Sequence, residues 1–113
     1  MDIQTTLPLT EATFFILLSI ADEPKHGYAI MQDVAGLSDG RVNLSTGTLY
    51  GALKRFLHKG WIVRNQELVY NHDGRERKAY LLSDLGRKIL DAEVNRLVRL
   101  ITAAQLRTVG ADQ

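Results

Sequence analysis

Cysteine is missing altogether from the 113 residues, which excludes disulfides, thiolate zinc sites and cysteine nucleophiles and agrees with a reducing cytoplasm. Long apolar runs are missing too. The longest, Phe14 to Leu18 with a weak extension to Ala21, falls far short of the roughly 18 to 20 residues of a membrane span. No cationic leader precedes it, since Asp2 and Glu11 occupy that stretch, so a soluble, cytoplasmic protein is expected. The three histidines, His26, His58 and His72, share no ligand spacing, and no carboxylate completes a metal motif around them; no metal is assigned. No nucleophile and base arrangement is visible, and Gly47-Thr48 lacks the lysine and serine of a phosphate-cradling loop. Neither an enzyme nor a cofactor is expected.

What is present is the length of one domain with 45% hydrophobic residues, enough for a core. The net charge of +1 conceals an uneven distribution: residues 1–40 sum to −5, residues 41–80 to +5 and residues 81–113 to +1. A near-neutral average with one basic stretch suits a DNA reader, because only the contacting face gains from displacing counterions. A solvated surface of fluctuating charge is the competing reading.

The basic stretch contains the clearest pattern. Ser45 is a good N-cap, and Leu49, Ala52, Leu53, Phe56 and Leu57 then recur at helical spacing until Gly60, which suits a left-handed helix end. The opposite face carries Gly47, Tyr50, Gly51, Lys54, Arg55 and His58, with no carboxylate. This pattern predicts a DNA-recognition helix. Tyr50 and Lys54, one turn apart, are the first candidates for contact, although the Tyr50 ring would also suit packing. Ser45, Thr46 and Thr48 place hydroxyls and free amides at a helix N-terminus, where a phosphate is favoured, in competition with a purely capping role. Arg41 is a weaker candidate, and His58 is placed to add a phosphate contact.

A hairpin follows. Trp61 to Tyr70 is rich in β-branched and aromatic residues, Asp73-Gly74 is a turn signal, and Glu76 to Leu82 returns. Arg75, Arg77 and Lys78 would project from this wing toward the DNA backbone or minor groove. Trp61 at its base is expected in the core, with effector stacking in a dimer pocket as the other reading. Before the recognition helix, Thr10 caps a helix to about Ala21 that is apolar nearly all round and so needs cover on several sides. A second helix runs from about Gly27 to Ala35 with Tyr28, Met31 and Val34 inward, and Val42 to Leu44 form a short strand. After the wing, Ser83 caps a helix to about Leu106. Its Leu90, Val94, Leu97, Ile101 and Ala104 alternate by four and three, a heptad seam that calls for a partner. Packing of this helix back onto its own domain is the alternative.

His26-Gly27-Tyr28-Ala29-Ile30, Gly47-Thr48-Leu49-Tyr50 with Ala52-Leu53, Gly60-Trp61-Ile62, and Arg75 to Tyr80 leading into Leu82-Ser83-Asp84-Leu85-Gly86 occur in this order. Together they resemble the PadR family of winged-helix transcriptional regulators in its short form, over about residues 9–106. The chain departs from the family pattern at Gly51, where proline is common, and at Ser83-Asp84, where threonine and glutamate are usual. Gly51 inside the helix either admits the phosphate backbone closely or only loosens the helix.

The expected fold is therefore mainly α with a small β-hairpin: a winged helix-turn-helix over residues 1–82 and a C-terminal dimerisation helix with a short tail over residues 83–113, forming one compact unit. The resemblance implies a homodimeric repressor on a palindromic operator in double-stranded DNA, released in many members by a small-molecule effector. A pocket for that effector is expected between the first and last helices, and Phe15 joins the heptad positions at the dimer interface. A winged-helix adaptor that binds proteins instead of DNA is the alternative.

Overall fold

The computed structural model describes residues 2–70 and 76–108, with the side chains of residues 66–70 and 76–77 outside the description. In chain order come α1 (Ile3–Thr6), α2 (Glu11–Ser19), β1 (Lys25–His26), α3 (Gly27–Leu37), α4 (Thr46–Lys59), β2 (Ile62–Tyr70), β3 (Glu76–Leu82) and α5 (Asp84–Arg107). Helix α1 is an addition to the expected elements. Its single turn, capped by Asp2 Oδ1 accepting from Gln4 N at 3.0 Å, is too short to show periodicity.

Helix α2 begins at the expected cap, with Thr10 Oγ1 accepting from Thr13 N at 3.2 Å. It ends two residues earlier than Ala21, because Ile20 and Ala21 bond three residues back to Leu17 and Leu18 in a tightened last turn. Its all-round apolarity is explained by its neighbours: α3 covers one side and α5 another. Lys25 closes the turn after it, reaching the Ser19 carbonyl oxygen and lying 3.1 Å from Asp22 and 3.8 Å from both Glu23 and Asp33.

Two expectations need correction here. Tyr28 does not point inward; it is 62% exposed. The buried stripe of α3 is Gly27, Ile30 and Val34, and Tyr28 lies about 100° off it. Val42 to Leu44 form no strand: Val42 N donates to Ser38 Oγ at 3.0 Å, and Val42 and Leu44 pack against the core from a loop. The extra strand is β1, which adds to the hairpin to give the order β1-β3-β2, all antiparallel. Lys25 and His26 face Tyr80 and Ala79, while Ile62, Val63, Arg64 and Asn65 face Leu82, Leu81, Tyr80 and Ala79. The ladder is irregular between Asn65 and Val69, and the Asp73-Gly74 turn lies outside the described residues.

The core joins α2, α3 and the apolar face of α4 to the base of the wing, where the Trp61 ring stacks on Phe56 at 5.4 Å. Helix α4 is capped as expected by Ser45, and Gly60 closes it at φ 77° in the left-handed region. Ser83 caps α5 and also donates to the Gly60 carbonyl oxygen, tying the ends of the two helices together. A side chain at Gly86 would place its Cβ 1.9 Å from the Trp61 carbonyl oxygen, so α5 approaches the wing at a distance only glycine permits. Its first half is then covered, through Ile89, Leu90 and Glu93. Glu93, 2% exposed, receives Arg96 Nε at 2.5 Å and Leu9 N at 2.8 Å. No helix among the described residues is long and apolar enough to cross a membrane.

Candidate nucleic-acid interface

Helix α4 separates its two faces as its periodicity dictates. Leu49, Ala52, Leu53 and Phe56 are buried, while Ser45, Thr46, Gly47, Thr48, Tyr50, Lys54, Arg55 and His58 are exposed. At its N-terminus the Ser45 Oγ accepts from Thr48 N at 3.1 Å and donates to Thr48 Oγ1 at 2.8 Å. Thr48 Oγ1 thus acts as acceptor toward Ser45, its own proton finding no acceptor among the described residues, and Thr46 N and Gly47 N lie in the first turn, where helical amides lack a partner within the helix. Capping and anion binding are therefore compatible. Further along, Lys54, Arg55, His58 and Lys59 line an open groove of about 370 Å³ with no carboxylate among its described lining residues.

Tyr50 combines both roles considered for it. Its hydroxyl lies where a Cβ at Gly27 would stand only 2.3 Å away, so the phenol rests on the start of α3, yet the residue remains 46% exposed. On the other side of the same place, His26 Nδ1 lies 3.4 Å from the Lys78 carbonyl oxygen. Gly27 thus marks where the N-terminus of α3, the ring of α4 and the root of the wing meet. Tyr80, buried against this junction, has its hydroxyl pushed up from the ordinary tyrosine range by burial and by the neighbouring Tyr50, with Arg64 opposing.

Of the wing cations, Lys78 is exposed, the Arg77 backbone pairs with Val69, and the Arg77 side chain and Arg75 lie outside the described residues. Arg41 is ion-paired with Glu11, which weakens its candidacy. Lys59 is the groove residue that helical face assignment missed, because it sits at the border between the two faces. Tyr28 is exposed beside Gly27, its hydroxyl accepting from Gln32 Nε2 at 3.0 Å; the signal for its exposure was the Gly27, Ile30, Val34 spacing.

The expected interface positions divide. Leu90 is 3% exposed and belongs to the chain's own core, and Phe15 is half-buried against it. Val94, Ile101 and Ala104 are exposed and Leu97 half-exposed, alongside exposed Val98, Leu100 and Leu106. Of the heptad positions, the exposed ones thus begin at Val94, one position after Leu90.

The chain resembles known proteins over most of its length. It is 34% identical over 98 residues to the transcriptional regulator Rv3488 of Mycobacterium tuberculosis, covering 84% of this chain and 86% of that one. It is 38% identical over 90 residues to an uncharacterized 37.1 kDa protein in a transposon of Streptomyces fradiae, covering 80% of this chain but only 24% of that protein. The crystal structure of Bacillus subtilis PadR in complex with operator DNA shares the fold, with a TM-score of 0.66 at 20% identity over 78% of this chain and 48% of that one. The PadR-like transcriptional regulator family model matches residues 16–92. With its winged helix-turn-helix and long C-terminal helix, the chain belongs to the PadR-like family, whose members are transcriptional regulators and not enzymes.

Proposed function

We propose that the chain is a sequence-specific DNA-binding repressor that acts as a homodimer on a palindromic operator and is released by a small-molecule effector. The observation that carries the reading is the exposed, carboxylate-free face of α4, with Lys54, Arg55, His58 and Lys59 along one groove. Ser45, Thr46 and Thr48 meet the backbone at the helix start, Tyr50 and Lys54 enter the major groove, and Arg75, Arg77 and Lys78 hold the flanking backbone or minor groove. The operator complex of the Bacillus subtilis relative supports this assignment by fold. Two such helices must stand about one helical turn, roughly 34 Å, apart to engage both half-sites, and the exposed seam Val94, Leu97, Ile101 and Ala104 of α5, with Phe15 beside it, supplies the two-fold contact.

The test is a selection of bound genomic fragments followed by titration at several salt concentrations. Affinity should fall linearly on a logarithmic salt scale, and Lys54→Ala should weaken binding and lower the slope by about one, the contribution of one phosphate contact, without changing the melting curve. A salt-independent interaction with a protein partner, and no selected DNA, would replace this reading with the adaptor.

A further inference from the structure

A second cleft lies behind the recognition face. It is an open cleft of about 180 Å³ between the segment joining α1 to α2, the start of α2 and the back of α4, and its walls include Thr6, Thr10, Thr13, Arg55, Lys59 and Trp61. Among the described residues those walls carry two cations, three hydroxyls and no carboxylate. Among the described residues neither Arg55 nor Lys59 has an acidic partner: the Arg55 guanidinium stands 6.0 Å from the Phe56 ring and the Lys59 ammonium 4.7 Å over Trp61. The Thr10 hydroxyl donates to Thr13 Oγ1 at 2.8 Å, which leaves the Thr13 hydroxyl proton available. Trp61 holds the buried side-chain donor that finds no acceptor among the described residues, its indole N–H. Helix α2 begins at this cleft, so its positive end adds to the same potential; Glu11 in that first turn is engaged by Arg41.

We infer that this cleft is a binding site for a compact oxyanion, inorganic phosphate or a small phosphate monoester. Uncompensated cations, hydroxyl donors and a helix N-terminus around one small volume form an acceptor-seeking environment, which a divalent oxyanion satisfies and a neutral or cationic ligand does not. Arg55 and Lys59 border both this cleft and the groove of the recognition face. An oxyanion in the cleft therefore draws on the same two cations that a DNA phosphate would use, and the two ligands oppose each other. That antagonism rests on the proposed function; the site itself does not.

Trp61 is the one tryptophan of the chain, and it reports on the cleft without DNA. The full-length protein is titrated with inorganic phosphate at constant ionic strength, chloride making up the balance. A saturable change in Trp61 emission is expected with phosphate and none with chloride. Arg55→Gln and Thr13→Val should each weaken the response about tenfold, the loss of one charge-assisted contact, at unchanged melting temperature. In the second arm, phosphate should weaken operator binding beyond matched chloride, and Thr13→Val, remote from the recognition face, should reduce that antagonism. Equal emission in phosphate and chloride, or an undiminished response in both variants, overturns the site. A response to operator DNA but not to phosphate assigns the cleft to the DNA backbone and likewise overturns it. A phosphate response that leaves operator affinity untouched keeps the site and overturns the antagonism.

Discussion

At single positions, the local rules of helix ends proved sufficient where the chain satisfies them from within one turn. Ser45 and Ser83 cap their helices, and Gly60 takes the left-handed closing geometry. Gly51 is different, because nothing local requires glycine there: a Cβ would meet only Arg55 Nη1, at 3.9 Å. Gly51→Ala should therefore stabilise the fold by about 0.5 to 1 kcal/mol through the lower entropy of the unfolded chain, read as a rise in melting temperature. Gly27 is the opposite case, since the phenol of Tyr50 fills the space beside it. Tyr28 was misassigned for a related reason. Its apolar ring counts toward a helical stripe in any sequence reading, but the ring that packs on the start of α3 is Tyr50 of α4, more than twenty residues away in the chain.

Among the elements, α2, α3, α4 and α5 carry enough turns for periodicity to show, and each lies within two residues of where the sequence places it. The two-residue strand β1 and the one-turn α1 carry no period and exist only through their neighbours. What ties the N-terminal segment down is Glu93 of α5. Its hydrogen bond from Arg96, supported by the amide of Leu9, holds the carboxyl below the usual carboxylate range against the opposing effect of burial. A carboxyl with a lowered folded pKa contributes stability above its unfolded value, and that contribution is lost as pH falls through the folded one. The protein should therefore lose stability on acidification below about pH 4.3, the ordinary glutamate value. Glu93→Gln should lower stability at neutral pH by about 2 kcal/mol and flatten the curve in the acid window. Denaturant melts of both proteins from pH 7 to pH 3 check the sign and the window.

On the scale of the whole molecule, the dimensions are 59 × 33 × 22 Å, elongated in a way a self-contained domain of this length is not. Helix α5 has 24 residues, about 36 Å at 1.5 Å per residue, and beyond Glu93 its apolar side chains other than half-buried Leu97 face solvent, Leu106 at 77%. If this half forms the two-fold contact, Leu97→Asp puts an unpaired charge into it from both chains at once, at a cost the dimer should not tolerate. Because Leu97 is only half-buried in the single chain, the variant should fold as a monomer and lose specific operator affinity with every DNA-facing residue intact. Light scattering coupled to size exclusion and an operator titration on the same sample provide the measurement; a dimeric variant with normal affinity would move the interface elsewhere. What the sequence by itself determined is whatever repeats along one element: the two-faced α4, the heptad side of α5, the caps and the basic middle of the chain, because helical geometry converts spacing directly into a shared face. Only the tertiary structure decided that Leu90 belongs to the chain's own core, that Lys25-His26 extend the wing, that Tyr50 rests on Gly27 and that Arg55 and Lys59 border two clefts. These depend on which distant surface each residue meets, and contacts between elements leave no period in the chain.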